Sequence, residues 1–99
     1  MLTDFVFEKQ IGKYKVIRKV GSGKYGLVKL GEHVKTKKRV AIKIIDKSFL
    51  DVVERNSIMT EAEVMTYLHH DHVIQLYEVI ENEKEICMIM EFAAGELIN

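Results

Sequence analysis

The sequence predicts an α+β fold, an antiparallel sheet of five strands with one main helix between strands 3 and 4. Short runs of β-branched and aliphatic residues alternate with glycines and polar turns. One stretch, residues 52–68, has no glycine or proline and carries apolar residues at helical spacing. The chain is 99 residues long and 47% apolar, which suits a single domain with one core. No proline, repeat or low-complexity tract suggests a linker inside it.

Residues 1–12 form a lead-in segment, and the domain proper occupies residues 13–99. Residues 14–20, Tyr-Lys-Val-Ile-Arg-Lys-Val, are rich in β-formers and run into three glycines at Gly21, Gly23 and Gly26. A second strand follows at residues 27–32. Residues 31–38 are polar and basic, and residues 39–45, Arg-Val-Ala-Ile-Lys-Ile-Ile, supply the third strand. Asp51 stands where a helix N-cap is needed, and Ile58, Ala62, Met65 and Leu68 share one helical stripe. After His69, His70, Asp71 and His72, two more strands are expected at residues 73–80 and 85–92.

Fifteen Lys and Arg balance fifteen Asp and Glu, so net charge draws the chain neither to nucleic acid nor to a membrane, and recognition must be local. The first residues lack the basic region and long apolar core of a secretory signal, which predicts an intracellular, cytoplasmic protein. One cysteine, Cys87, excludes an internal disulfide or a Cys-rich zinc site and reads as a small buried hydrophobe. His69, His70 and His72 sit in a turn where their side chains diverge, so no metal site is assigned.

Gly21-Ser22-Gly23-Lys24-Tyr25-Gly26 has the G-x-G-x-x-G spacing that lets backbone amides approach phosphate oxygens without interference from Cβ atoms. A dinucleotide-binding loop would open a helix at its last glycines. Here Leu27-Val28-Lys29-Leu30 follows, a strand, so the glycines belong to a β-hairpin. A Walker loop is excluded because Gly26 is not followed by Lys and then Ser or Thr. Lys43 lies within an apolar strand and needs an anion, because a lone ammonium there would lose hydration or its proton. Glu61, three residues after Ile58 and four before Met65, is expected on the inward stripe of the helix, with Glu63 on the outer face.

The pattern G-x-G-x-x-G-x-V ending at Val28, followed by Val40-Ala41-Ile42-Lys43, resembles the small, ATP-binding lobe of eukaryotic serine/threonine protein kinases. The wording of residues 40–47, 70–80 and 90–97 is most similar to the AMP-activated and calmodulin-dependent kinase-related group. The resemblance implies that the loop from Gly21 through Ser22, Gly23, Lys24, Tyr25, Gly26 and Leu27 to Val28 covers the phosphates of ATP. It also implies that Val20, Val28 and Ala41 hold the adenine. Lys43 and Glu61 then become the ion pair that holds the α- and β-phosphates, an arrangement that a swinging helix could switch. Met90 aligns with the gatekeeper, Glu91 and Ala93 with the hinge that reads adenine through main chain, and Glu96 with a ribose acceptor. Met65 and Leu76 look like members of the hydrophobic column that links the helix to the active state.

No H-R-D, D-F-G or A-P-E segment occurs in these residues, so the Mg2+ ligands belong to a second lobe and the 99-residue chain alone is expected to be inactive. By resemblance the partners are ATP and, in the complete enzyme, a protein substrate. The alternative is a non-catalytic kinase lobe that binds nucleotide or a partner kinase, with self-association or lobe pairing through apolar surface uncovered around Met65, Leu76 and the hinge.

Overall fold

The computed structural model describes residues 9–22, 26–66 and 75–92, with the side chains of Met65 and Thr66 outside the description. Strands β1 (Gln10–Ile11), β2 (Tyr14–Ser22), β3 (Gly26–His33) and β4 (Arg39–Asp46) come first. A 3-10 turn (Lys47–Phe49) and helix α1 (Val52–Thr66) follow, then β5 (Leu76–Glu81) and β6 (Glu85–Glu91). The sheet order is β1-β2-β3-β4-β6-β5, and every pairing is antiparallel.

The five expected strands are present. The sixth, β1, lies within the lead-in, where two residues pair Gln10 with Lys15 and Ile11 with Tyr14. A two-residue strand is too short to leave a periodic signal, and it forms because Ile11 has a core to enter, being 7% exposed. Gly12 turns the chain between β1 and β2 at φ +57°, a conformation that L side chains rarely adopt, and a Cβ there would also press on Ile80.

The sheet is curled, and its two edges meet. Irregular register at Val16/Arg18, Lys19/Gly21 and Leu76/Glu78 marks bulges, which bend a strand and increase its twist. The curl brings the start of β2 to β5, where the Tyr14 hydroxyl donates a 2.6 Å hydrogen bond to the Glu78 carboxylate. Inside it lie Ile11, Tyr14, Val40, Ile42, Ile44, Cys87 and Ile89, with Val16, Tyr77 and Ile80 packed at their edge. The opposite face carries a second cluster, Ile45, Leu50 and Ile86, covered by Ile58 and Met59 of α1 together with Val79 and Met88.

Helix α1 begins as the sequence signals. The Asp51 carboxylate accepts from the Glu54 amide at 2.7 Å, and the Glu54 carboxylate accepts in return from the Asp51 amide at 3.1 Å, a reciprocal capping box. The connection from β4 is pinned by Lys47, whose ammonium reaches both the Glu81 carboxylate and the Asn82 carbonyl at 2.5 Å. Asn82 closes the β5–β6 hairpin by accepting from the amides of Lys84 and Glu85. Of the residues expected to leave apolar surface uncovered, Leu76 is buried at 5% exposure, facing Met90 across the ladder. Among the described residues the three most exposed large apolar side chains, Phe49, Val52 and Val53, lie instead at and just before the start of α1.

Candidate functional site

Residues directly opposite in antiparallel strands share a face. Val28 stands opposite Lys43, and Lys43 opposite Met88. One step along, Leu30 stands opposite Ala41, and Ala41 opposite Met90. Lys43 is therefore flanked by Val28 and Met88, next to a buried row of Leu30 and Ala41. On the glycine hairpin Gly21 pairs with Val28 and Ser22 with Leu27. Val20, Gly21, Lys43 and Met90 are half-buried, while Ser22 and Leu27 are exposed.

The two described glycines of the loop serve different purposes. A Cβ on Gly26 would overlap the Ile44 carbonyl oxygen of β4, so glycine is required there for strand packing. A Cβ on Gly21 would meet nothing within 4 Å, which leaves open space over its backbone. An open backbone, an ammonium in the same cross-strand row and an apolar row beside it suit a nucleoside triphosphate, whose base is apolar on its faces and whose phosphates are anionic. Gly23, Lys24 and Tyr25 lie outside the described residues, as do Ala93 and Glu96.

Glu61 differs from expectation. It is exposed, and among the described residues neither a hydrogen bond nor an ion pair joins it to Lys43. The expected stripe runs through Ile58, Ala62, Met65 and Leu68, and among the described side chains Met59 packs inward beside Ile58 and Ala62. Including Met59 moves the middle of the buried arc to about 100° from Glu61 at roughly 100° per residue, which turns the carboxylate outward. Lys43 tolerates this because it is only half-buried, and water can reach its ammonium.

The end of β6 is held by a contact that the sequence did not reveal. The Glu91 amide donates to the Gln75 carbonyl at 2.8 Å, and the Glu91 carboxylate accepts from the Gln75 amide at 3.2 Å, tying the end of β6 to the start of β5. Met88 and Leu30, which line the lysine and the apolar row, also went unassigned in sequence. Only strand register places them, although the alternation of Ile86, Met88 and Met90 was a partial signal. Cys87 is fully buried, and that burial pushes its thiol above the usual range, as befits a core residue. His69, His70 and His72 lie outside the described residues.

Unlike dinucleotide and Walker loops, these glycines open onto a second strand rather than a helix, and a lysine follows on the third strand. That is the mark of a protein kinase small lobe. A profile of the protein kinase domain matches residues 14–99. The chain is 42% identical over 86 residues to "Serine/threonine-protein kinase SIK3 homolog" of Danio rerio, covering 87% of this chain and 7% of that protein. It is 45% identical over 91 residues to "Probable serine/threonine-protein kinase MARK-A" of Dictyostelium discoideum, covering 90% and 9% respectively. The chain belongs to the protein kinase family, and it spans less than a tenth of the length of these two relatives.

Proposed function

We propose that these residues are the ATP-binding part of a serine/threonine protein kinase, which transfers the γ-phosphate of ATP to protein Ser or Thr when joined to its catalytic lobe. The observation that carries this is the placement of Lys43 between Val28 and Met88, on the face that also holds Ala41 and Met90 and beside the open backbone of Gly21. In this function the Lys43 ammonium binds α- and β-phosphate oxygens, and the amides of the hairpin from Gly21 to Val28 cover them. Val20, Val28, Ala41 and Met90 pack against the adenine, the Glu91 carbonyl and Ala93 N–H read its edge, and Glu96 accepts from the ribose.

Glu61 acts as a positioning residue. When α1 rotates to bring its carboxylate inward, it holds Lys43 in line, and in the outward setting Lys43 stays free of it. The pair is worth at most ~4 kcal/mol at an effective dielectric of about 20, before desolvation, so it serves to place the ammonium rather than to stabilise the fold. Mg2+ supplies charge neutralisation at the phosphate oxygens, and its ligands come from sequence beyond these residues.

The test is Lys43→Met in the complete enzyme, these residues joined to their catalytic lobe. Phosphate transfer to a protein substrate should fall by about 100-fold or more with the circular dichroism unchanged, and a fully active variant would refute the assignment. A second reading, a lobe that binds a partner kinase, is favoured by Phe49, Val52 and Val53, which are 69%, 61% and 75% exposed at the start of α1. A monomer in analytical ultracentrifugation, with no kinase bound, would count against it.

A further inference from the structure

Although the chain carries no net charge, one end of the sheet is strongly basic. The β3–β4 turn reads Val34-Lys35-Thr36-Lys37-Lys38-Arg39, and the Val34 amide donates to the Lys13 carbonyl at 2.9 Å, which brings the β1–β2 turn alongside. Lys13, Lys35, Lys37, Lys38 and Arg39 are all exposed there. The carboxylates nearby are already engaged: Glu32 pairs with Arg39 at 3.2 Å, and Glu78 accepts from Tyr14. Among the described residues no ion pair engages Lys13, Lys35 or Lys37.

The knuckle has a defined shape. His33 Nδ1 accepts from the amides of Lys35 and Thr36 at 3.2 Å, the Thr36 hydroxyl accepts from the Lys38 amide at 3.3 Å, and the Lys37 amide donates to the His33 carbonyl at 2.9 Å. Lys37 sits at φ +66°, a conformation that glycine or asparagine would adopt with less strain, so a cation stands at a backbone position that disfavours lysine. Beside the turn is a cavity of about 240 Å³ lined by Tyr14, His33, Thr36, Lys38, Val40 and Tyr77, with the Lys38 ammonium 4.7 Å from the centre of the Tyr77 ring. That volume is below the usual range for a drug-sized ligand and suits one side chain.

We propose that this end of the sheet is a docking site for an acidic peptide segment bearing one aliphatic or aromatic residue. The apolar residue enters the cavity between Tyr14 and Tyr77, and the flanking carboxylates meet Lys13, Lys35, Lys37 and Lys38. Charge complementarity selects an acidic partner, and the cavity selects a peptide over a lipid surface, which has no side chain to insert. The site lies on the side of the sheet opposite Lys43, since Val40 and Lys43 are three residues apart on one strand, so it is independent of the nucleotide assignment.

The probe is a short fluorescein-labelled peptide of glutamates around one central leucine, titrated against the full chain by fluorescence polarisation. Saturable binding is expected at low salt, weakening about tenfold on charge reversal of Lys35, Lys37 and Lys38 to Glu and about fivefold when the peptide leucine becomes alanine. Lys37→Gly removes one charge while fitting the backbone, so it should weaken binding with no loss of thermal stability. The proposal is overturned if the peptide does not bind, or if a folded charge-reversed protein binds it equally. It is also overturned if phosphatidylserine vesicles or duplex DNA bind through these lysines while the peptide does not.

Discussion

Replacing Tyr14 by phenylalanine tests the curl of the sheet directly. The Tyr14 ring is 6% exposed, and its hydroxyl spans 64 positions of sequence to reach the Glu78 carboxylate at 2.6 Å. A hydrogen bond to a charged group contributes about 1.5–3 kcal/mol, so Tyr14→Phe should destabilise the chain by about 2 kcal/mol at pH 8. The bond also has a pH signature. Burial first, then the Glu78 hydrogen bond and charge, push the Tyr14 hydroxyl up to about 12 from its ordinary 10.0. A group whose folded value is raised contributes stability that is complete below the unfolded value. That contribution is lost as pH climbs through the folded value, here between about pH 10 and 12. Two units correspond to roughly 2.7 kcal/mol, and solvent access at the edge of the curl reduces this to about 1–2 kcal/mol. Urea titrations at pH 8, 10 and 11.5, followed by circular dichroism, should show the gap between wild type and Tyr14→Phe closing as pH rises. A constant gap, or none at pH 8, would show that the hydroxyl does not hold the two edges of the sheet together.

Three further outcomes follow from individual contacts. Gly26→Ala should lower stability by about 1–3 kcal/mol and shift the thermal midpoint down, because the new methyl meets the Ile44 carbonyl oxygen and β3 must move away from β4. Asp51→Ala should cost about 1 kcal/mol in a denaturant titration through loss of the α1 cap, with Asp51→Asn largely restoring it. Cys87 should react with a disulfide reagent far more slowly in the native chain than in urea, since it is fully buried and its thiol is pushed upward.

Much of the fold was legible because its signals are local. The runs at residues 14–20, 27–32, 39–45 and 85–92 hold their own β-formers, and Asp51 stands as an N-cap ahead of a stretch with no glycine or proline. The type of glycine loop was legible for the same reason, since the residues after Gly26 decide between helix and strand. Strand β1 was not, because two residues carry no period and pair only once β2 and the core exist.

Glu61 marks the boundary between the two kinds of information. Helical spacing placed it on the inward stripe with Ile58, Ala62, Met65 and Leu68, but Met59, one position round from Ile58, also fits a 3.6-residue period and shifts the inward arc. The apolar surface of Ile45, Leu50 and Ile86 packs Met59 as well as Ile58, and Glu61 is left exposed. By itself the sequence determined which of the longer segments become strands and helix, that the glycines form a β-hairpin, and that Lys43 lies on an apolar strand. These depend on residues within a few positions of one another. The tertiary structure decided that β6 lies between β4 and β5, which neighbours flank Lys43, how the edges close through Tyr14 and Glu78, and which way α1 faces. Those outcomes rest on burial between segments distant in the chain, where many local patterns fit and one packing removes the most apolar surface from water.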